Sequence, residues 1–141
     1  MKTFASITSL LILSLGLISG AAQAGDLQVE IQGLNEIKGE VMVAVFNQKG
    51  QWLKQAQFSK KVSANNVSLS VQFDNLPEGE YAVSVFHDLN SNGRLDSNVI
   101  GMPTEPYGFS NNAAGNFGPP SFDAAKIKLD QAKTAISIRV N

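Results

Sequence analysis

Val67-Ser68-Leu69-Ser70-Val71-Gln72-Phe73-Asp74 passes through Asn75-Leu76-Pro77-Glu78-Gly79-Glu80 into Tyr81-Ala82-Val83-Ser84-Val85-Phe86. In the first limb Val67, Leu69, Val71 and Phe73 alternate with Ser68, Ser70, Gln72 and Asp74. In the second, Tyr81, Val83 and Val85 hold every second place. A spacing of two puts each set on one face of an extended chain, so each limb reads as a strand with one buried side. Between them Pro77 cannot donate to a ladder and Gly79 bends freely, which marks a turn. Strand, turn, strand is the unit of an antiparallel β fold.

The same pattern extends outward in both directions. Leu27, Val29 and Ile31 share a face, as do Ile136, Ile138 and Val140. Val41 to Phe46 is apolar on both faces, which suits a central strand, and Ile127 with Leu129 makes a short extra one. Turn residues fall between the runs at Gly33 to Gly39, Asn47 to Gly50 and Asn65-Asn66. Trp52 to Phe58 suits either a helical turn or a strand. Six or seven short strands at this spacing predict an antiparallel β-sandwich, immunoglobulin-like or transthyretin-like, with a closed barrel as the competing all-β solution. No helical pattern is long enough for a βαβ unit, which excludes a dinucleotide-binding fold.

The beginning of the chain reads differently. Met1-Lys2 precedes an apolar run from Phe4 to Ile18, and Ala22-Gln23-Ala24 has the form of an A-x-A cleavage signal. Residues 1–24 are thus expected to be a cleavable leader, leaving 25–141 as a single domain that is periplasmic or secreted, with no membrane span. The 141 residues include no Cys, so an acylated lipoprotein anchor, a disulfide framework and a thiolate metal site are all excluded. One His removes poly-imidazole zinc and copper centres. Eleven Lys and Arg face twelve Asp and Glu, a balance that argues against nucleic acid as a partner.

The alternation stops at His87. From there to Asp123 no strand or helix pattern is evident, and the stretch holds four of the five prolines. So long a loop in a compact domain is usually functional or disordered. Its apolar content argues for order. Tyr107, Phe109, Phe117 and Phe122, with Val99, Ile100 and Met102, are expected to anchor it on the sheet, although aromatic faces can also grip sugars or apolar ligands. Trp52 reads as core.

The loop opens His87-Asp88-Leu89-Asn90-Ser91-Asn92-Gly93-Arg94-Leu95-Asp96. Within it D-x-N-x-N-G-x-x-D matches the first nine positions of a calcium loop. Calcium is a hard cation that takes six to eight oxygens. Asp88, Asn90 and Asn92 would each supply one, Arg94 its backbone carbonyl, and Asp96 a carboxylate oxygen directly or through water. Gly93 would let the chain reverse around the ion. Position twelve, a bidentate Glu in an EF-hand, is Val99, and Asn98 beside it is no automatic substitute. Asp74, Glu105 and Asp123 have the chemistry to complete the shell. Two charged ligands imply weak affinity, roughly 10⁻⁴–10⁻³ M. The competing reading is a metal-free Asx-rich turn around Asn92-Gly93.

Catalytic signals are sparse. His87 and Asp88 are adjacent on a strand and so point to opposite faces, which forms no dyad. No G-x-S-x-G elbow is present, and no catalytic or organic-cofactor residue can be assigned. Gly115-Asn116-Phe117-Gly118 lacks the strand and helix that would make it a phosphate loop.

Taken in order, Leu76-Pro77-Glu78-Gly79-Glu80-Tyr81-Ala82-Val83, the His87–Asp96 stretch, Gly101 to Asn112 and Gly118-Pro119-Pro120-Ser121-Phe122 resemble the family called domain of unknown function 2141, small exported bacterial proteins. The resemblance covers essentially the whole of 25–141 and is most specific from Leu76 to Phe122. It implies a periplasmic or extracellular location and supports a β-sandwich, and it carries no activity over. Leu-Pro-x-Gly-x-Tyr is also similar to the corresponding segment of transthyretin-like and collagen-adhesin B-type domains. The expected function is a non-enzymatic binding or accessory module for an envelope or extracellular protein or carbohydrate. The alternatives are a cell-envelope hydrolase and a metal-free interaction domain.

Overall fold

A computed structural model describes residues 23–141. Apart from Gln23 and Ala24, the expected leader lies outside the described residues. The chain forms β1 (Ala24–Gln32), β2 (Glu40–Phe46), β3 (Phe58–Ser63), β4 (Ser68–Pro77), β5 (Gly79–Asp88), β6 (Tyr107–Phe109), a one-turn helix α1 (Phe122–Ala125), β7 (Ile127–Leu129) and β8 (Lys133–Arg139). One sheet has the order β4-β1-β8. The other runs β3-β2-β5-β6, with β7 also paired to β5. The two-sheet, all-β architecture is the expected one. Its pairs are antiparallel except β1 and β8, which run parallel.

The alternation explains how the sheets meet. Leu27, Val29 and Ile31 of β1 lie opposite Phe73, Val71 and Leu69 of β4. On the facing sheet Val41, Val43 and Val45 lie opposite His87, Val85 and Val83. These rows form one core, joined by Tyr81, Leu129 and Ile138. Each fully buried aliphatic side chain in it contributes about 1.5–3 kcal/mol, which lets a domain without disulfides hold together.

The chain crosses between sheets at the β4–β5 turn. There the Tyr81 hydroxyl donates to the Pro77 carbonyl at 2.7 Å, the arrangement of a tyrosine corner. Burial pushes the Tyr81 phenol above its ordinary pKa. On one flank Lys60 of edge strand β3 reaches across to the Gln72 carbonyl and sits 5.3 Å above the Phe73 ring. On the other, Tyr107 and Asn141 exchange backbone hydrogen bonds of 3.2 and 3.1 Å, tying β6 to the chain beyond β8.

The long segment after β5 is ordered, as its composition implied, though less uniform. β6 and α1 interrupt it, as do a turn at Ser110–Asn112 and an isolated bridge between Ser97 and Pro103. Phe109 and Phe122 are buried with Phe46, Ala82 and Ala125, while Trp52 and Tyr107 pack beside them. Trp52 contacts the Phe46, Phe109 and Phe122 rings, and its indole N–H donates to the Pro120 carbonyl at 2.8 Å. Four expected anchors do not anchor. Val99, Ile100, Met102 and Phe117 are exposed, outside both buried clusters.

Candidate functional site

β5 ends in two buried polar residues with opposite directions. His87 pairs with Val41 on the core face and Asp88 with Glu40 on the outer face, and both are fully buried. One His87 ring nitrogen, Nε2, bonds the Lys38 carbonyl at 2.7 Å, while Nδ1 has no partner among the described residues. The imidazole therefore packs into the core-facing row of the sheet.

Asp88 organises the loop that follows. Its Oδ1 accepts the amide of Asn92 at 3.0 Å and its Oδ2 the amide of Gly93 at 2.7 Å. These bonds pull the chain back over the strand end. The reversal needs left-handed backbone at Gly93 (φ 82°), which a residue lacking Cβ adopts without strain. Asn90 Oδ1 accepts the Asn92 amide at 3.2 Å, and Asn92 Oδ1 the Arg94 amide at 3.1 Å. Both are Asx turns, in which a short side chain stands in for backbone. Gly39 lies over the same strand end, and a Cβ there would run into the Asp88 carbonyl.

Asp96 closes the ring. Asn92 Nδ2 donates to its two oxygens at 2.9 and 3.0 Å, and Asn90 Nδ2 to one of them at 2.6 Å. The bonds from Asn92 and then Asn90 hold the Asp96 carboxyl below the usual carboxylate range, with a smaller contribution from the Arg94 charge. Arg94 itself extends into solvent, its Nε 3.9 Å from Asp96.

Glu105, named from chemistry alone, belongs to this assembly. It is buried and accepts the Leu89 amide at 2.8 Å and the Asp96 amide at 2.9 Å, so one carboxylate pins both ends of the loop. Asp74 and Asp123 lie elsewhere. Asp74 accepts from Gln72 and Asp123 pairs with Lys49. Asn98 caps the next turn through the amides of Ile100 and Met102.

Asp88, Asn90, Asn92 and Asp96 are thus gathered into one ring of oxygens and amides. The acids do not converge on a common point, and among the described residues no three Asp, Glu or His side chains form a metal-type group. Among the described residues no Lys, Arg or His side chain comes within ion-pair distance of the buried Asp88 or Glu105. Buried anions ordinarily have a cationic partner or several hydrogen bonds. Here backbone amides alone fill that role, and the donor set is all oxygen, the chemistry a hard cation prefers.

Beside this ring the outer face of the β2–β5–β6 sheet carries a groove of about 820 Å³. Its floor includes Ala44 and Phe86, and its walls are the two loops bearing Ile100 and Phe117. Sequence reading missed the groove because alternation reports which side of a strand is apolar, not which loops stand over it. The apolar tips in a Gly- and Pro-rich segment were the available signal.

Fold and site together define a two-sheet β-sandwich with an Asx-rich loop over one strand end and an open outer face. Residues 29–137 match the family described as an uncharacterized protein conserved in bacteria (DUF2141). The chain belongs to this family. No curated protein and no solved structure matches it. Among the described residues no helix is long and apolar enough to cross a membrane.

Proposed function

We infer that the chain is an exported, non-enzymatic binding module whose loop from Asp88 to Asp96 takes a calcium-type cation. The observation that carries this is Asp88, a buried carboxylate without a cationic side-chain partner among the described residues. Its Oδ2 holds the Gly93 amide, the closure that the D-x-N-x-N-G spacing serves. Each carboxylate oxygen still has a free lone pair after its amide bond.

Asp88, Asn90, Asn92, the Arg94 carbonyl and Asp96 would be the ligands. Asn90 and Asn92 now turn NH₂ groups toward Asp96. A half-turn of each amide presents an oxygen there instead, exchanging hydrogen bonds for cation–oxygen contacts. Glu105 would support the ring from behind. With few charged ligands the affinity is weak, roughly 10⁻⁴–10⁻³ M, adequate where calcium is millimolar. Export rests on the leader-like sequence of residues 1–24. The partner class is an envelope or extracellular protein or carbohydrate.

A thermal melt tests the cation. Calcium at ten times its dissociation constant adds about 1.4 kcal/mol, a rise in melting temperature of a few degrees for a domain of this size. Magnesium, which prefers rigid octahedral geometry, should raise it less. The hydrogen bonds now closing the ring support the rival, metal-free Asx turn, which predicts identical melts in calcium and chelator. A hydrolase would need groups other than His87, since that ring is enclosed in the core.

A further inference from the structure

We propose that the outer-face groove is a binding site for an uncharged, hydrocarbon-chain ligand such as a fatty alcohol or the acyl chain of a neutral lipid. Three observations converge on that class. At about 820 Å³ the space falls within the roughly 300–1,000 Å³ typical of small-molecule sites. Among the described residues, no Lys, Arg, Asp, Glu or His lines it. An ionised occupant would therefore lose its hydration and find no counter-charge, which costs far more than an apolar contact returns. Finally, the floor is the face of a sheet whose backbone is already paired between β2, β5 and β6. Ser84 and Tyr107 are the lining residues that offer side-chain hydroxyls. A peptide laid there would leave its own amides without partners. A hydrocarbon chain has no such requirement, and one hydroxyl or ester at its end could use Ser84 or Tyr107.

The walls fit the same reading. Ile100 is 79% exposed, Met102 57% and Phe117 fully exposed. Large apolar groups held out in water along both sides of an apolar channel gain by closing over a chain. Phe86, half-buried on the floor, completes the contact. This inference deepens the binding-module reading by naming its ligand class, and it does not require the cation.

The test is fluorescence titration of the purified protein with N-phenyl-1-naphthylamine, a neutral apolar probe, in chelator and again in calcium. Saturable enhancement is expected in both, displaced by 1-decanol. Decanoate and decylammonium should compete at least about tenfold less well. Ile100→Glu and Phe117→Glu should each weaken the probe about tenfold. Both side chains are exposed, so the fold is retained, and Val67→Glu on a remote turn should leave binding unchanged. Absence of saturable enhancement overturns the proposal, as does decanoate competing as well as decanol. Self-association that Ile100→Glu abolishes also overturns it, because a second copy would then be the occupant. Calcium melts that fail while the probe binds would sink the cation alone, and the converse would sink the groove alone.

Discussion

Asp88 and Asp96 are the same residue type at the two ends of one loop and do different work. Asp88 is buried and spends its oxygens on the amides of Asn92 and Gly93. Charge-assisted bonds of this kind are worth about 1.5–3 kcal/mol each. Asp88→Ala is therefore expected to cost about 3 kcal/mol or more in urea unfolding, with or without calcium. Asp96 sits at the loop mouth, and its depressed pKa arises from amide donors. A carboxyl lowered in the folded state contributes stability above its unfolded pKa, and this is lost as pH falls through the lower folded value. Carboxyl NMR should place the Asp96 midpoint below about 3.9, and Asn92→Ala should move it back toward that value. The sequence spacing drew attention to Asp88, Asn90, Asn92 and Asp96 as cation ligands, and what joins them here is hydrogen bonds. The spacing could not show that Glu105 joins them, because fifteen residues of irregular chain separate Glu105 from Leu89, one of the two amides it holds.

At the scale of elements, legibility followed alternation. β1, β4, β5 and β8 were readable because each buries one row against the core, and β2 because Val41 to Phe46 is apolar on both faces. β3 was not: Ser59, Lys60, Lys61 and Ser63 are exposed along it, and an edge strand owes its place to the β2 ladder and to Lys60 reaching β4. Inward-directed charge of this kind also discourages edge-to-edge aggregation. β6 was hidden for another reason, since Tyr107-Gly108-Phe109 sits inside a stretch whose prolines and glycines read as loop, whereas β7, equally short, is set off by its own Ile127 and Leu129. The parallel β1–β8 pair could not be foreseen either, because both faces alternate alike whichever way a strand runs. Two local devices lend themselves to measurement. Tyr81→Phe removes one hydrogen bond at the sheet-crossing corner and should cost about 1 kcal/mol in urea unfolding. Trp52→Ala removes the ring that joins Phe46, Phe109 and Phe122. Hydrogen exchange should then quicken in residues 110–125 more than in β1 or β2.

For the molecule as a whole, the two-sheet sandwich carries the Asx-rich ring at one end of β5 and the groove across the adjoining outer face. The loops over the outer face rest on two buried carboxylates and on the aromatic cluster around Trp52, so a cation held by the ring would stiffen the wall of the groove beside it. The most direct measurement is a calcium titration followed through the side-chain amide resonances of Asn90 and Asn92. Binding predicts saturable shifts of both pairs at millimolar calcium, abolished by Asp96→Asn and absent with equal ionic strength of sodium. Amide resonances that stay fixed through that titration, still reporting NH₂ groups bonded to Asp96, would contradict the account.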